Sequence, residues 1–320
     1  MILRANLALY RCNTAYLSDT WKTVTKWAIV ATSGLVIFMV FIVIIMNCMH
    51  KSKGPQRMIH LFEELTMVVL FLAMGIAQFF FLTKEMPCKI VTIAIQFTMT
   101  LLAGLFLMEG LFAQGMINYS KPKNAGLGTP MSLFISLIIA AISTGATYFL
   151  QHKYYAVSGL SCHAVTSVGM MYGFIIPVWL LVFLAGVMAQ RGLLKCVKVQ
   201  YDSDLEQVYW AYKSAKVLVP FSTLVTTIYV LIMFGLDQQR WYVLILAAIL
   251  NVILAFYLYV AHTFSQQKLA KKKAPGPGGI YRQCPKDKQD YDNDNPDSKS
   301  DAAPAPEPTE AIPVDAPPAY

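Results

Sequence analysis

Glu109 follows a long uncharged stretch, residues 90–108, and needs a chemical explanation there. Cys88 opens the same stretch, and at about 1.5 Å of rise per residue the two lie roughly 32 Å apart, close to the hydrocarbon thickness of a bilayer. The cysteine then lies at one water interface and the carboxylate at the other. A carboxylate at a membrane boundary is costly without a partner, so Glu109 indicates a functional or network position. The alternative is a side chain that simply reaches the interface.

His60, Glu63 and Glu64 form a second group of ionisable residues, just before another apolar segment. Imidazole and carboxylate groups bind metals and carry protons, so the group suggests such a site. The sequence alone favours the simpler interpretation, interfacial residues at a helix start, and no metal or cofactor is predicted. The chain shows no phosphate-binding loop, zinc-ligand spacing or serine-hydrolase elbow, so no enzyme activity is predicted.

The composition indicates a membrane protein. Of 320 residues, 56% are hydrophobic and 14% charged, and the mean hydropathy is +0.50. These values and the long uncharged runs exclude a soluble domain of this size. The net charge of +8 does not indicate nucleic-acid binding, because the basic residues flank apolar runs instead of covering a soluble surface.

Seven apolar segments are long enough and poor enough in charge to cross a bilayer. We therefore predict an all-α membrane protein, a seven-transmembrane helix bundle with a disordered cytoplasmic tail. The second segment is the shortest unless it begins at about Met58, before the two glutamates. The predicted spans are residues 27–49, 67–83, 90–117, 130–150, 164–190, 217–236 and 241–261.

The distribution of Lys and Arg predicts the orientation. Loops after the first, third and fifth segments, with the start of the tail, carry more basic residues than the loops on the other side. This places the N-terminus outside the cell and the C-terminus in the cytoplasm. The basic cluster 268–273 would attract anionic lipid headgroups. The expected organisation is a short extracellular N-terminus (1–23), a helical bundle (24–264) and a disordered, Pro-rich cytoplasmic tail (265–320).

Prolines and cysteines predict further structural features. Pro177 and Pro220 lie inside the fifth and sixth segments, where the missing backbone donor predicts helix kinks. Cys88 and Cys162 both fall in predicted extracellular loops, an oxidising compartment, which favours a disulfide between them. Cys12 is also predicted to be extracellular and is the competing partner.

Short motifs in the second, third, fifth and seventh helices occur in a fixed order within residues 20–268. Their order and helix placement resemble those of the secretin/adhesion group of seven-helix G-protein-coupled receptors. The matching positions are Ile59-His60, Cys88, Glu109-Gly110, Cys162, Pro177-Val178, the Ala-Ile-Leu-Asn run 248–251, and His262.

The resemblance implies a plasma-membrane receptor that transduces an extracellular signal, from an unknown ligand, to heterotrimeric G proteins. It also implies an activation network that joins His60 to Glu109, with His262 as a third member. Breaking such a network would allow the helices it restrains to change from one packed arrangement to another. Basic residues at the cytoplasmic face would meet the G protein: Lys51, Lys53, Arg57, Arg191, Lys195 and Lys216.

The sixth and seventh helices depart from this group. Thr223 and Thr226 stand where Gly and often Trp are expected, and Leu254-Ala255 replaces Gln-Gly. Only a short segment precedes the first helix, so no hormone-binding or autoproteolysis domain is expected. The alternatives are a divergent receptor, a truncated form, or a non-signalling seven-helix scaffold that acts through its tail. A proton- or ion-linked transporter is less favoured, because the two halves show no repeat.

The C-terminal residues Pro317, Pro318 and Tyr320 match the Pro-Pro-x-Tyr ligand of WW domains. Consecutive prolines preform a polyproline II turn, which docks into an aromatic-lined groove at low entropic cost. The alternative is a chance match in a proline-rich segment. WW-domain proteins are therefore the predicted partners of the tail.

A peptide covering residues 310–320 should bind a subset of a WW-domain panel in fluorescence-polarisation titrations. Tyr320→Ala should abolish this binding, because the tyrosine fills a pocket beside the proline groove. If both peptides bind equally, or neither binds, the tail has no WW-binding motif.

Overall fold

Within the part of the chain that the structure describes, seven helices are long and apolar enough to cross a membrane, as predicted. The chain is therefore a multi-pass, all-α membrane protein. The computed structural model describes residues 18–49, 55–79, 85–119, 128–152, 155–157, 161–164, 168–194, 197–199, 202–259 and 281–283.

The described residues form seven long helices, numbered in chain order, and two short antiparallel strand pairs. The helices are α1 (Asp19–Met49), α2 (Pro55–Ala77), α3 (Glu85–Tyr119), α4 (Thr129–Gln151), α5 (Ile176–Leu193), α6 (Asp202–Asp237) and α7 (Trp241–Tyr259). The strands are β1 (Tyr155–Val157), β2 (Cys162–Ala164), β3 (Val197–Val199) and β4 (Tyr281–Gln283).

Helix α3 is the centre of the bundle and the most buried of the seven spans. It contacts α2, α4, α5, α6 and the β1–β2 hairpin. The outer helices turn large apolar side chains outward, among them Phe38, Ile142 and Phe183. Such outward apolar faces are expected where lipid replaces water as the solvent.

Helices α1 and α7 pack against each other and close the bundle, with an aromatic contact and a polar contact between them. Trp21 stacks on Trp241 with ring centroids 4.2 Å apart. In the middle of the two helices, the Asn251 amide donates a hydrogen bond to the Thr32 hydroxyl over 3.3 Å. Asn251, part of the 248–251 motif, is therefore a packing residue between α7 and α1.

The predicted start of α2 at residue 67 is wrong, and the alternative start near Met58 is close to the structure. The helix begins at Pro55, a residue suited to the first helical position because its missing N–H is unpaired there anyway. Glu63 and Glu64 are each only 3% exposed. A search for uncharged runs excludes them, whereas the structure buries them inside the bundle.

Helix α6 also begins earlier than the predicted residue 217. It starts at Asp202, and the added turns contain both acidic and basic residues. The charged residues before position 217 interrupt the apolar run in the sequence, but the helix continues through them. An acidic residue at a helix N-terminus is favoured by the helix dipole.

The irregularity predicted at Pro177 takes the form of a π-helical segment before it. A short α-helical turn, Val168–Met170, leads into π-helical Met171–Ile175, and Pro177 lies in the first turn of α5. Proline has no N–H, so the Gly173 carbonyl, four residues back, lacks its α-helical donor.

The Gly173 carbonyl finds its partners on α4. Its oxygen lies 2.8 Å from the Thr147 hydroxyl and 3.4 Å from the Ser143 hydroxyl. Position 173 has no room for a larger residue, since an added Cβ would lie 2.9 Å from Thr147 Oγ1. Neighbouring hydroxyls thus satisfy the backbone that proline leaves unpaired, as membrane burial requires.

The predicted Cys88–Cys162 disulfide is present and joins the start of α3 to β2, with the two Cα atoms 5.1 Å apart. The bond holds the β1–β2 hairpin, in which Val157 faces Cys162 in the antiparallel register, against α3. Both cysteines are 1% exposed. Cys12, the competing partner, lies outside the described residues.

Strand β4 lies within the segment predicted to be a disordered tail. It pairs antiparallel with β3, between α5 and α6, with Lys198 opposite Arg282. Val197 and Val199 at the two ends of β3, and Tyr281 opposite Val199, are residue types that favour extended backbone. The other residues of 265–320 lie outside the described part of the chain.

Replacing Cys88 or Cys162 by Ser should reduce surface expression by the same amount. The double replacement should cost little more, because each single change already removes the whole bond, worth about 2–4 kcal/mol. Flow cytometry of an epitope-tagged chain measures this. Cys48→Ser, at an exposed free cysteine of α1, is the control and should leave expression unchanged. Clearly additive losses at Cys88 and Cys162 would contradict the pairing.

Candidate functional site

Glu109 of α3 lies at the centre of a polar cluster in the bundle. Its carboxylate is 2% exposed, and its Oε1 atom lies 3.2 Å from Nε2 of His60 on α2. The Ser214 hydroxyl of α6 donates a hydrogen bond to the same oxygen. One carboxylate therefore joins three helices. The predicted contact between His60 and Glu109 is confirmed, while its role in activation stays a prediction.

The His60 imidazole lies between two carboxylates. Its second nitrogen, Nδ1, is 3.6 Å from Oε2 of Glu63, one turn further along α2. Residues three positions apart share a helix face, so the spacing of His60 and Glu63 turns both toward α3. Buried charges persist when they are paired and hydrogen-bonded, and the shared imidazole supplies that pairing.

Gly110 allows the neighbouring helix to approach this cluster. A Cβ at position 110 would lie 2.7 Å from the backbone oxygen of Ala185 on α5. The Glu109-Gly110 pair therefore combines two functions: the glutamate holds α2 and α6, and the glycine lets α5 pack closely on the other side of α3. Small residues at helix crossings serve this purpose in membrane bundles.

An aromatic layer lies one helical turn from the cluster. Phe106 of α3 contacts Phe221 of α6 edge-to-face, with ring centroids 5.4 Å apart. Phe221 in turn stacks on Tyr257 of α7 at 6.5 Å. The Tyr257 hydroxyl donates to the carbonyl of Val217 over 3.3 Å, just before Pro220. The segment of α6 around Pro220 is thus fixed by both α3 and α7.

The opposite end of the bundle, which carries the disulfide, holds a separate buried polar group. The Tyr155 hydroxyl of β1 donates to the side-chain oxygen of Gln96 on α3. Burial lowers the pKa of His163 on β2, against the opposing effects of the Asp237 carboxylate and of a hydrogen bond with the Ser161 backbone. These contacts hold the hairpin over α3 together with the disulfide.

The remaining predicted site residues are spread over the bundle. Pro220 lies inside α6 with its ring exposed. Arg191 is exposed in the last turn of α5, and Arg57 is half-buried in the first turn of α2. Lys216 is exposed, and its ammonium lies 4.5 Å from the ring centre of Tyr212. Outside the described residues lie Lys51, Lys53, Lys195, His262, Pro317, Pro318 and Tyr320.

Ser214 is a site residue that the sequence prediction missed, because it lies before the predicted start of α6. The signal becomes visible once the helix is extended to Asp202. Ser214 then lies on the same face of α6 as Leu218, Phe221 and Val225, which follow it at intervals of three or four residues, and all of them are buried. A helix-period pattern of this kind marks the inward face.

The polar cluster contains side chains of the types that bind metal ions. Among the residues that the structure describes, one group of His, Cys, Asp or Glu side chains is close enough to hold a metal ion: His60, Glu63 and Glu109, whose ligand atoms all lie within 4.8 Å of one another.

Comparison with known proteins does not assign the site. No protein-family model matches the chain, and no curated protein sequence matches it.

Proposed function

We propose that the chain is a seven-helix receptor of the secretin/adhesion type, located in the plasma membrane, that transmits an extracellular signal to heterotrimeric G proteins. The supporting observation is the position of Glu109, which contacts His60 on α2 and Ser214 on α6. A single buried carboxylate that restrains α6 is suited to an inactive state that a signal can release.

The restraint acts on the helix end that would meet the G protein. Ser214 and the exposed Lys216 lie on the same stretch of α6. The end of α5 carries Arg191. It packs closely against the end of α3, as shown by Gly192, where an added Cβ would lie 3.3 Å from the Cα of Gln114. Lys216 and Arg191 are thus exposed on the two helices, α6 and α5, that pack against α3, and a shift of α6 would rearrange this surface.

The proposed orientation places this basic end in the cytoplasm and the disulfide end outside the cell. The excess of Lys and Arg in the loops of the basic end supports this direction. An oxidising extracellular compartment also suits the Cys88–Cys162 bond. Ligand would then enter near the β1–β2 hairpin, whose buried contacts connect it to α3.

A non-signalling scaffold that acts through the tail is the second candidate, and a proton- or ion-linked transporter the third. The Pro-Pro-x-Tyr end favours the scaffold, and the buried carboxylates of α2 and α3 favour the transporter. Constitutive second-messenger output is expected of a receptor but not of a scaffold or a transporter, so its measurement distinguishes the first candidate from the other two.

Glu109→Gln and His60→Ala should each raise basal signalling in a second-messenger panel on cells that express the full chain. Hydrogen bonds to charged groups contribute about 1.5–3 kcal/mol. Their loss from the inactive state should shift the equilibrium roughly tenfold or more, which predicts a several-fold rise in output at equal surface expression.

Thr100→Val is the matched control for these variants. Thr100 is buried on α3, and its hydroxyl donates only to the Gln96 carbonyl within the same helix. Its replacement should leave output at the wild-type level. If both cluster variants reach the surface normally and every output equals that of wild type, the receptor proposal is wrong.

A further inference from the structure

We propose that His60, Glu63 and Glu109 form a binding site for a divalent transition-metal cation of the Zn²⁺ class between α2 and α3. The receptor proposal does not require a metal ion, so this site would be an additional binding function of the bundle. Three observations support this site: the spacing of the three side chains, an unpaired buried oxygen, and the chemistry of the ligand atoms.

The spacing of the ligand atoms suits a small cation. Zn²⁺ bonds to nitrogen and oxygen at about 2.0–2.2 Å, which places tetrahedral ligand atoms roughly 3.4 Å apart. Nε2 of His60 lies 3.2 Å from Oε1 of Glu109, while the other ring nitrogen, Nδ1, lies 3.6 Å from Oε2 of Glu63. All three residues offer one atom within 4.8 Å of the others. Side-chain rotations that bring these three atoms from within 4.8 Å of one another to about 3.4 Å would close the site.

Glu63 supplies a second, independent observation. Its side chain is 4% exposed, and its Oε1 atom has no hydrogen-bond partner among the described residues. A buried carboxylate oxygen without a donor is costly. A cation bound to this carboxylate would neutralise its charge and remove that cost.

The ligand chemistry selects the class of ion. Imidazole nitrogen with carboxylate oxygen suits Zn²⁺ and its transition-metal neighbours, whereas Ca²⁺ and Mg²⁺ prefer oxygen ligands alone. The Ser214 hydroxyl already donates to Oε1 of Glu109, so it can orient this carboxylate as an outer partner of the metal.

The ion can reach the site from the basic end of the bundle. His60 lies five residues after Pro55, the first residue of α2, so it is about 8 Å along the helix from that end. Its side chain is 24% exposed, in contrast to 4% for Glu63. His60 is thus the accessible ligand, and the two glutamates form the buried wall.

The test is Zn²⁺ binding to the purified full chain in lipid nanodiscs, measured by equilibrium dialysis with metal analysis. Wild type should bind one more Zn²⁺ per chain, saturably, than His60→Gln. Glu63→Gln should weaken this binding more than about 100-fold, since loss of an outer partner alone costs 10–100-fold. Ser214→Ala should weaken it about tenfold.

His152→Gln is the matched control, because His152 is exposed at the end of α4, outside the cluster. This variant should bind as wild type does. Circular dichroism without metal checks that each variant is folded. If His60→Gln is not folded, Glu63→Gln serves as the binding-deficient variant for comparison with wild type. Equal binding by wild type and the cluster variants, or no saturable binding by wild type, would overturn the proposal. Either result is independent of the signalling assay, because the dialysis requires no G protein.

Discussion

The burial of the Glu109 carboxylate is the constraint on which the rest of the bundle depends. A charge in a membrane protein's interior is tolerated only where partners are in place. Those partners are His60 on α2 and Ser214 on α6, so one side chain sets the relative positions of three helices. Gly110, the next residue, sets the approach of a fourth, α5. The packing of α3 at the centre of the bundle follows from these two adjacent positions.

The same rule accounts for the irregular parts of the structure. The carbonyl that Pro177 leaves without a donor lies 2.8 Å from the Thr147 hydroxyl on α4. At the disulfide end, Tyr155 donates to Gln96 on α3. In both places a polar group that lipid cannot satisfy is satisfied by a neighbouring element, and the contact fixes where two elements cross. Apolar packing fills the remaining space without selecting a particular crossing.

The sequence predicts the number of spans, the disulfide and the His60–Glu109 contact, because hydropathy, cysteine placement and motif order are local features. It does not predict where α2 begins, since a charge count cannot tell a buried glutamate such as Glu63 from one in water. It also misses Ser214, because the inward face of α6 is visible only when the helix is extended past its charged turns. Partners of this kind depend on how helices cross, which no local pattern contains.

A thermodynamic cycle between Glu109 and Ser214 tests most directly whether the buried carboxylate couples α3 to α6. Unfolding free energies would be measured in detergent for Glu109→Leu, Ser214→Ala and the double variant, with Thr100→Val and Ser214→Ala as the control cycle. The account predicts a coupling energy of about 1.5 kcal/mol or more for Glu109 and Ser214, and additive effects in the control. Additivity within about 0.5 kcal/mol for Glu109 and Ser214 would show that the two side chains do not interact, and would contradict the account.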